Sequence, residues 1–185
     1  MIEKEFVMAS KAMNDAQFAV MSRLAVTGCP HLTVFNGKAI LGLGRNELVV
    51  TQRTFASLVK KEWIESSPCH EYCYHATEAG RKATEVSTLI KLQEFIRLYG
   101  KKAGYSEVYN GVGILFAESL VRTGVLEWSH RPSFSDNDNY FFLSSQADDF
   151  LNGAKLSFLR YEDVFYNFLN PEAYASKKAE QAAEE

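Results

Sequence analysis

Two passages of this chain repeat the same order of apolar, basic and turn-forming residues. Residues 120–127 align with residues 58–65 at a shift of 62 positions, and residues 140–147 align with residues 72–79 at a shift of 68. In each passage helical spacing gives way to short runs of β-branched and aromatic residues, which predicts a helix followed by a β-hairpin. The repeat therefore predicts two units of one design, and 185 residues are enough for two small domains.

The first copy has the clearer local signals. We expect a helix over 51–62, because Thr51 can cap its free amides and an apolar stripe follows at helical spacing. The stripe consists of Phe55, Leu58 and Val59. Residues 63–65 and 72–75 then predict the two strands of a hairpin around a turn at 66–68, and Thr77 is placed to cap the next helix.

The second copy differs from the first in its hairpin. We expect its first helix at 86–96, ended by Gly100, and the counterpart of the 51–62 helix at about 111–123. The second hairpin is six residues longer, and the extra residues, 133–139, are polar, as an exposed loop tip should be.

Four further segments complete the chain. Residues 5–27 have mostly helical spacing and predict a first helix, whereas 31–44 fit either a short helix or a strand and turn. Residues 154–172 form another amphipathic stretch, which we interpret as a C-terminal clasp or dimerisation helix. Residues 173–185 have no apolar stripe and predict a flexible tail.

The residues at 55–65, followed by those at 74–81, resemble the winged helix-turn-helix pattern of bacterial regulators. In that family a leucine, two basic residues and a hydrophobic residue lead from the recognition helix into the wing, and the last wing strand ends in leucine-threonine-x-alanine-glycine-arginine. This chain has Ala76 where leucine is usual. The resemblance implies an α+β, mainly helical fold of tandem winged-helix units with short β-hairpin wings, the first at 1–84 and the second at 85–153.

The resemblance also implies a DNA-binding surface on the first unit. The 51–62 helix would enter the major groove, and the wing tip would touch the DNA backbone or the minor groove. The residues expected on DNA are Gln52, Arg53, Thr54, Ser57, Lys60 and Lys61 from the helix, and Ser66, Ser67 and His70 from the wing. The alternative interpretation is the solvated face of an amphipathic helix and a plain surface turn.

The charge distribution differs between the two units. Residues 1–84 carry ten Lys and Arg against eight Asp and Glu, and residues 85–185 carry ten against fifteen. A polyanion should therefore prefer the first unit. In the second unit the helix offers only Glu118, Ser119 and Arg122 as outward polar residues and the wing is acidic, so we expect association there, in a homodimer or with another protein.

Two functional hypotheses follow. The first is a DNA-binding transcription regulator or mobile-element protein that binds double-stranded DNA with its first unit and uses the second unit and the C-terminal helix for association. The second is a protein-interaction adaptor, similar to the tandem winged-helix subunits of chromosome-condensing complexes. The acidic second half favours the adaptor.

Catalytic, cofactor and metal sites have little support in the sequence, and we expect none. Residues 69–75 and 29–31 contain the cysteine and histidine types that bind zinc, but their spacing matches no known zinc module. The glycines at 37–44 lack the Gly-Lys-Ser/Thr ending of a phosphate loop.

The sequence also bears on cellular location. Its first residues lack the pattern of a signal peptide, and no apolar run reaches the roughly 20 residues that a membrane helix needs. The three cysteines have no disulfide-framework spacing, as in a reducing compartment. These features predict a cytoplasmic protein without membrane contact.

Overall fold

The structure, a computed structural model, describes residues 12–26, 31–41, 47–68, 70–129 and 139–159. Within these residues the chain forms six helices and eight strands, and the strands make two antiparallel sheets. Helices account for about half of the described residues. The α+β class predicted from the sequence is confirmed.

The first half of the chain forms a five-stranded sheet with strand order β3-β2-β1-β5-β4. A two-residue turn, Asn36-Gly37, joins β1 to β2 with positive φ at both residues, the geometry that favours Asn-Gly in hairpins. The strand-and-turn interpretation of residues 31–44 is therefore the correct one for 31–41. The elements are α1 (Asp15–Leu24), β1 (Leu32–Phe35), β2 (Lys38–Leu41), β3 (Leu48–Val50), α2 (Gln52–Lys60), β4 (Ile64–Ser67) and β5 (His70–Ala76).

The second half contains a long helix, a three-stranded sheet and three shorter helices. The strand order is β6-β8-β7. Phe141 of the central strand is fully buried, and its ring centroid lies 5.6 Å from that of Trp128. The elements are α3 (Glu78–Tyr99), β6 (Lys102–Gly104), α4 (Tyr105–Asn110), α5 (Ile114–Arg122), β7 (Leu126–Ser129), β8 (Tyr140–Leu143) and α6 (Ser145–Leu151).

The two halves share one pattern of hydrogen bonds at the end of the helix that precedes each hairpin. After α2, the amide of Trp63 donates to the carbonyl oxygen of Leu58 at 3.0 Å. After α5, the amide of Val125 donates to the carbonyl oxygen of Leu120 at 3.2 Å. Helices α2 and α5 and strands β4 and β7 are each related by the shift of 62 positions that the sequence repeat predicts.

The turn after each of these helices is closed by a hydroxyl group from the residue before the next helix. The Thr77 hydroxyl donates to the carbonyl oxygen of Glu62, and the Ser144 hydroxyl donates to that of Gly124, both at 2.6 Å. Glu62 and Gly124 have φ values of 55° and 84°. The two turns thus have the same backbone conformation. In the first of them a non-glycine residue, Glu62, adopts the left-handed region.

Helix α3 belongs to both halves. It runs without a break from the Thr77 cap to Gly100, so the two helices expected after Thr77 and at 86–96 are one. The boundary drawn between residues 84 and 85 falls inside this helix. Leu92 and Phe95 of α3 are fully buried and belong to a single hydrophobic core with side chains from both halves.

Helix α1 is shorter than the 5–27 segment predicted to be helical. Residues 12–14 are not helical, because Asn14 caps a new helix start: its side chain accepts from the Gln17 amide at 2.9 Å. Residues 5–11 and 27 of the predicted helix lie outside the described residues. From Asp15 onward α1 packs against α3 and α5, and so joins the two halves.

Part of the predicted C-terminal helix can be compared with the structure. Residues 154–159 are not helical, so the prediction is wrong for this part. Leu156 is buried, and its amide donates to the Glu85 carboxylate at 2.9 Å, which ties this segment to α3. Residues 160–172, the predicted tail at 173–185 and most of the 133–139 loop lie outside the described residues.

Candidate nucleic-acid interface

Helix α2 forms where the sequence predicts it, for local reasons. The Thr51 hydroxyl accepts from the Thr54 amide at 3.2 Å and caps the helix start. Leu58 is fully buried, and the Phe55 ring meets the Tyr74 ring edge-on, with centroids 4.9 Å apart. These contacts fix which face of α2 points into the core, and hence which face points to solvent.

The outward face of α2 combines polar, cationic and small apolar side chains. Its exposed residues are Gln52, Arg53, Ala56, Val59 and Lys60. At about 100° per residue these positions share one side of the helix, because they are separated by one, three or four residues. No acidic residue occurs between positions 51 and 61.

Two of the helix residues predicted to contact DNA are turned away from that face. Ser57 is half-buried, and the side-chain amide of Gln17 on α1 donates to its hydroxyl oxygen at 2.8 Å. Thr54 is also half-buried, with its hydroxyl 3.0 Å from that of Thr51. Ser57 thus attaches α2 to α1, whereas Thr54 contacts the cap of its own helix.

Lys61 is exposed, but it is held near the protein surface. Its ammonium group lies 4.3 Å from the centroid of the Trp63 ring, within the range of a cation–π interaction. A ligand that draws Lys61 outward has to replace this contact.

The predicted wing residues lie at the end of the β4–β5 hairpin. Ser67 pairs with His70 across the tip, and the register shifts between Ser66 and Ser67. Ser66 and His70 are exposed, whereas Ser67 is half-buried. The wing thus presents hydroxyl and imidazole groups at its tip, and the exposed carboxylates Glu65 and Glu71 lie on its strands.

The second copy's helix, α5, does not present the polar residues expected to point outward. Ser119 and Arg122 are 1% and 7% exposed, because α1 packs over this side of α5. The sequence-based placement of these two residues on an outward face is wrong, and Glu118 is half-buried. Of the α5 residues that correspond to the open face of α2, Leu115 is exposed, Ile114 and Glu118 are half-buried, and Val121 and Arg122 are buried.

The buried end of α5 has its own electrostatics. Arg122 pairs with Glu118 at 3.5 Å, between Nη1 and Oε2. Burial and, to a smaller extent, the nearby Arg23 of α1 lower the pKa of Arg122 to about 10, although Glu118 opposes both effects. Burial also lowers the pKa of Arg23, and Glu118 again opposes it. One carboxylate therefore faces two guanidinium groups at the junction of the halves.

Among the described residues, no three His, Cys, Asp or Glu side chains gather closely enough to bind a metal ion. Cys73 is half-buried on β5, and the neighbouring His75 lies 3.1 Å from the Glu65 carboxylate. Cys29 and Cys69 lie outside the described residues.

Comparison with family models, with curated proteins and with solved structures finds no significant match to this chain. Within the described residues, no helix is both long enough and apolar enough to cross a lipid bilayer.

The structure adds three residues that the sequence analysis did not connect with the interface. Ala56 and Val59 lie on the outward face of α2, and Gln17 orients Ser57 from the neighbouring helix. Ala56 is four residues from both Gln52 and Lys60, and this helical spacing alone indicates that it shares their outward face. Val59 was assigned to the buried stripe by its apolar type, although it is 40% exposed.

Proposed function

We propose that this chain is a DNA-binding protein of tandem winged-helix units, a transcription regulator or mobile-element protein that places α2 in the major groove of duplex DNA. The observation that carries the proposal is the outward face of α2, which exposes Gln52, Arg53 and Lys60 without a carboxylate. Glutamine can hydrogen-bond the adenine edge in two-pronged geometry, and arginine and lysine can contact phosphates.

The order of elements supports the winged-helix interpretation. A winged helix consists of a helix, a strand, two helices and a hairpin whose second strand pairs with the first strand. In the second half α3, β6, α4, α5 and the β7–β8 hairpin follow in this order, and β8 lies between β6 and β7. In the first half the β2–β3 pair stands where the second half has α4, and β5 lies between β1 and β4.

The different surroundings of α2 and α5 favour the first unit as the DNA-binding one. A helix that enters a groove about 12 Å wide must have an uncovered face. That face is open on α2, whereas on α5 only one of the five equivalent residues, Leu115, is exposed. The chain therefore offers one helix of this pair to a duplex.

The charge distribution supports the same assignment. Residues 1–84 have two more cationic than acidic residues, whereas residues 85–185 have five more acidic ones. The carboxylates nearest to α2 along the chain are Glu47, before the helix, and Glu62 and Glu65, beyond its end, and Glu65 is engaged by His75. Attraction of phosphates is therefore strongest at the first unit.

A salt titration tests the proposal. We expect the purified full chain to bind a fluorescein-labelled duplex of about 30 base pairs, with affinity falling as salt rises from about 50 to about 200 mM. Replacing both Arg53 and Lys60 by alanine should weaken binding about tenfold or more. It should also reduce the slope of log K against log salt by about 1.8, because each phosphate contact contributes about 0.9.

The matched control removes one arginine and one lysine from the second half. Arg97→Ala with Lys101→Ala changes the net charge equally, and both residues are exposed. We expect this variant to keep nearly the affinity and slope of the unaltered chain. No binding at low salt, or an equal loss in both double variants, would contradict the proposal.

A protein-interaction adaptor is the second candidate, and the surface of the second half favours it. Large apolar side chains are exposed there: Leu98 at 44%, Tyr109 at 63% and Leu115 at 53%. Exposed apolar side chains of this size are common at protein–protein contacts. The salt titration separates the two candidates, because an adaptor needs no affinity for a polyanion.

A further inference from the structure

The middle of the outward face of α2 is apolar. Gln52, Ala56 and Val59 are separated by four and three residues, so they point within about 60° of one another. Arg53 and Lys60 lie on one flank of this row. A helix in a groove would direct the row at the base edges and the flank at one sugar–phosphate strand.

The exposure of Val59 has no explanation in the packing of the first half. Val59 is 40% exposed, and a β-branched residue is a mediocre helix former, so helix propensity does not favour valine there. The equivalent residue in the second copy, Val121, is 1% exposed and lies on a helix that packs against α1. Valine is thus fully buried in one copy and partly exposed in the other.

The flanking charges indicate what covers this position in the first copy. In the second copy the residues equivalent to Arg53 and Lys60 are Leu115, which is exposed, and Arg122, which is buried and paired with Glu118. In the first copy the cations Arg53 and Lys60 border the apolar row. This arrangement suits duplex DNA, in which charged phosphates flank the less polar base edges. In the major groove the apolar group is the C5-methyl of thymine.

Building on the proposed function, we propose that Ala56 and Val59 contact thymine methyl groups in the major groove, so that the bound site requires thymine under the middle of α2. Val59 supplies the larger contact, since its two methyl groups reach further from the helix than the Cβ of Ala56. Gln52, in the same row, is placed to bond the edge of a neighbouring adenine.

Deoxyuridine lacks only the C5-methyl group, and it allows a direct test. A binding site is first selected with the full chain from a random-sequence duplex library, and each thymine of the selected duplex is then replaced singly by deoxyuridine. We expect at least one replacement to weaken binding about fourfold, the factor associated with burying one methyl group. The effect should disappear in Val59→Ala, which binds both duplexes alike.

Val49→Ala is the matched control, because Val49 is also exposed, at 58%, but lies on β3 outside α2. This variant should retain the fourfold discrimination. Binding to a selected site with no loss at any deoxyuridine overturns the thymine contact and leaves DNA binding in place. Absence of any duplex binding overturns the proposed function itself.

A protein neighbour on α2 predicts a different result. The face would then mediate self-association: the chain would sediment as a dimer, Val59→Ala would make it monomeric, and selection would yield no consensus duplex. That combination also overturns the thymine contact.

Discussion

Gly80 lies at a point of close approach between the start of α3 and the turn after α2. A Cβ atom there would overlap the carbonyl oxygen of Trp63 and lie 2.8 Å from the Met21 Cε atom. The Trp63 carbonyl cannot withdraw freely, because it accepts a hydrogen bond from the Thr77 amide at 3.0 Å. Glycine is thus required by packing, since its φ is not in the left-handed region.

Gly80→Ala should therefore destabilise the protein by about 1–3 kcal/mol, the usual cost of forcing extra atoms into a packed site. Urea unfolding would measure it as a lower midpoint. Gly104→Ala is the control: its Cβ would meet only the flexible Glu107 carboxylate, at 3.3 Å, and we expect a change within about 0.5 kcal/mol. Equal losses would show that packing at Gly80 is not the cause.

At the scale of the elements, the cap of α3 fixes this helix to the turn after α2. The Thr77 hydroxyl accepts from the Gly80 amide at 3.0 Å and donates to the Glu62 carbonyl at 2.6 Å. One side chain thus caps the helix and closes the preceding turn.

We expect Thr77→Ala to lower the free energy of unfolding by about 1–2 kcal/mol, because both hydrogen bonds are lost. Thr77→Ser keeps the hydroxyl and should lose much less, as measured by urea unfolding. If serine proves as costly as alanine, the methyl group of Thr77 rather than its hydroxyl is responsible.

The elements that the sequence predicted well carry strong local signals. Thr51 and Thr77 cap helices that also have apolar stripes, and both strands of the first hairpin were anticipated. The three-residue strands β3 and β6 and the six-residue helix α4 were not predicted. Segments this short contain too few residues for an alternating or helical pattern to stand out.

At the scale of the whole molecule, the junction of α1, α3 and α5 surrounds buried charges. Lys91 of α3 is 7% exposed, and its ammonium group bonds Asp15 of α1. The same group lies 5.4 Å from the Phe18 ring centroid and 5.1 Å from that of Phe116. The lysine stem fills apolar space while its charge is stabilised by a carboxylate and two rings.

Glu118 is the carboxylate that opposes Arg23 and Arg122 at this junction. We expect Glu118→Gln to destabilise the protein by about 2 kcal/mol, because two partly desolvated guanidinium groups then lose their compensating charge. Urea unfolding at neutral pH would measure the loss. Added salt should recover little of it, since buried charges are weakly screened.

The control is another glutamate paired four residues along a helix. Glu78 lies 3.6 Å from Lys82, but both side chains are more than 70% exposed, so Glu78→Gln should cost about 0.5 kcal/mol or less. Similar costs for the two variants would contradict the role given to burial at Glu118.

The part of the candidate site that could be predicted is α2, because its orientation follows from its own stripe and cap. The exposure of α5 could not be predicted in the same way. Ser119 and Arg122 are of residue types that usually face solvent. They are nevertheless buried, on a helix that packs against α1, about 100 positions earlier in the sequence. No local pattern distinguishes polar residues that face water from polar residues that face a distant helix.

The continuity of α3 has a consequence for how the two copies can be separated. A chain cut between residues 84 and 85 would end in the middle of a helix, and it would leave behind Leu92 and Phe95, which belong to the common core. It would also remove α5 from the face of α1. Although the two copies repeat one backbone plan, we expect that neither folds alone and that the unit carrying α2 includes the second copy as its support.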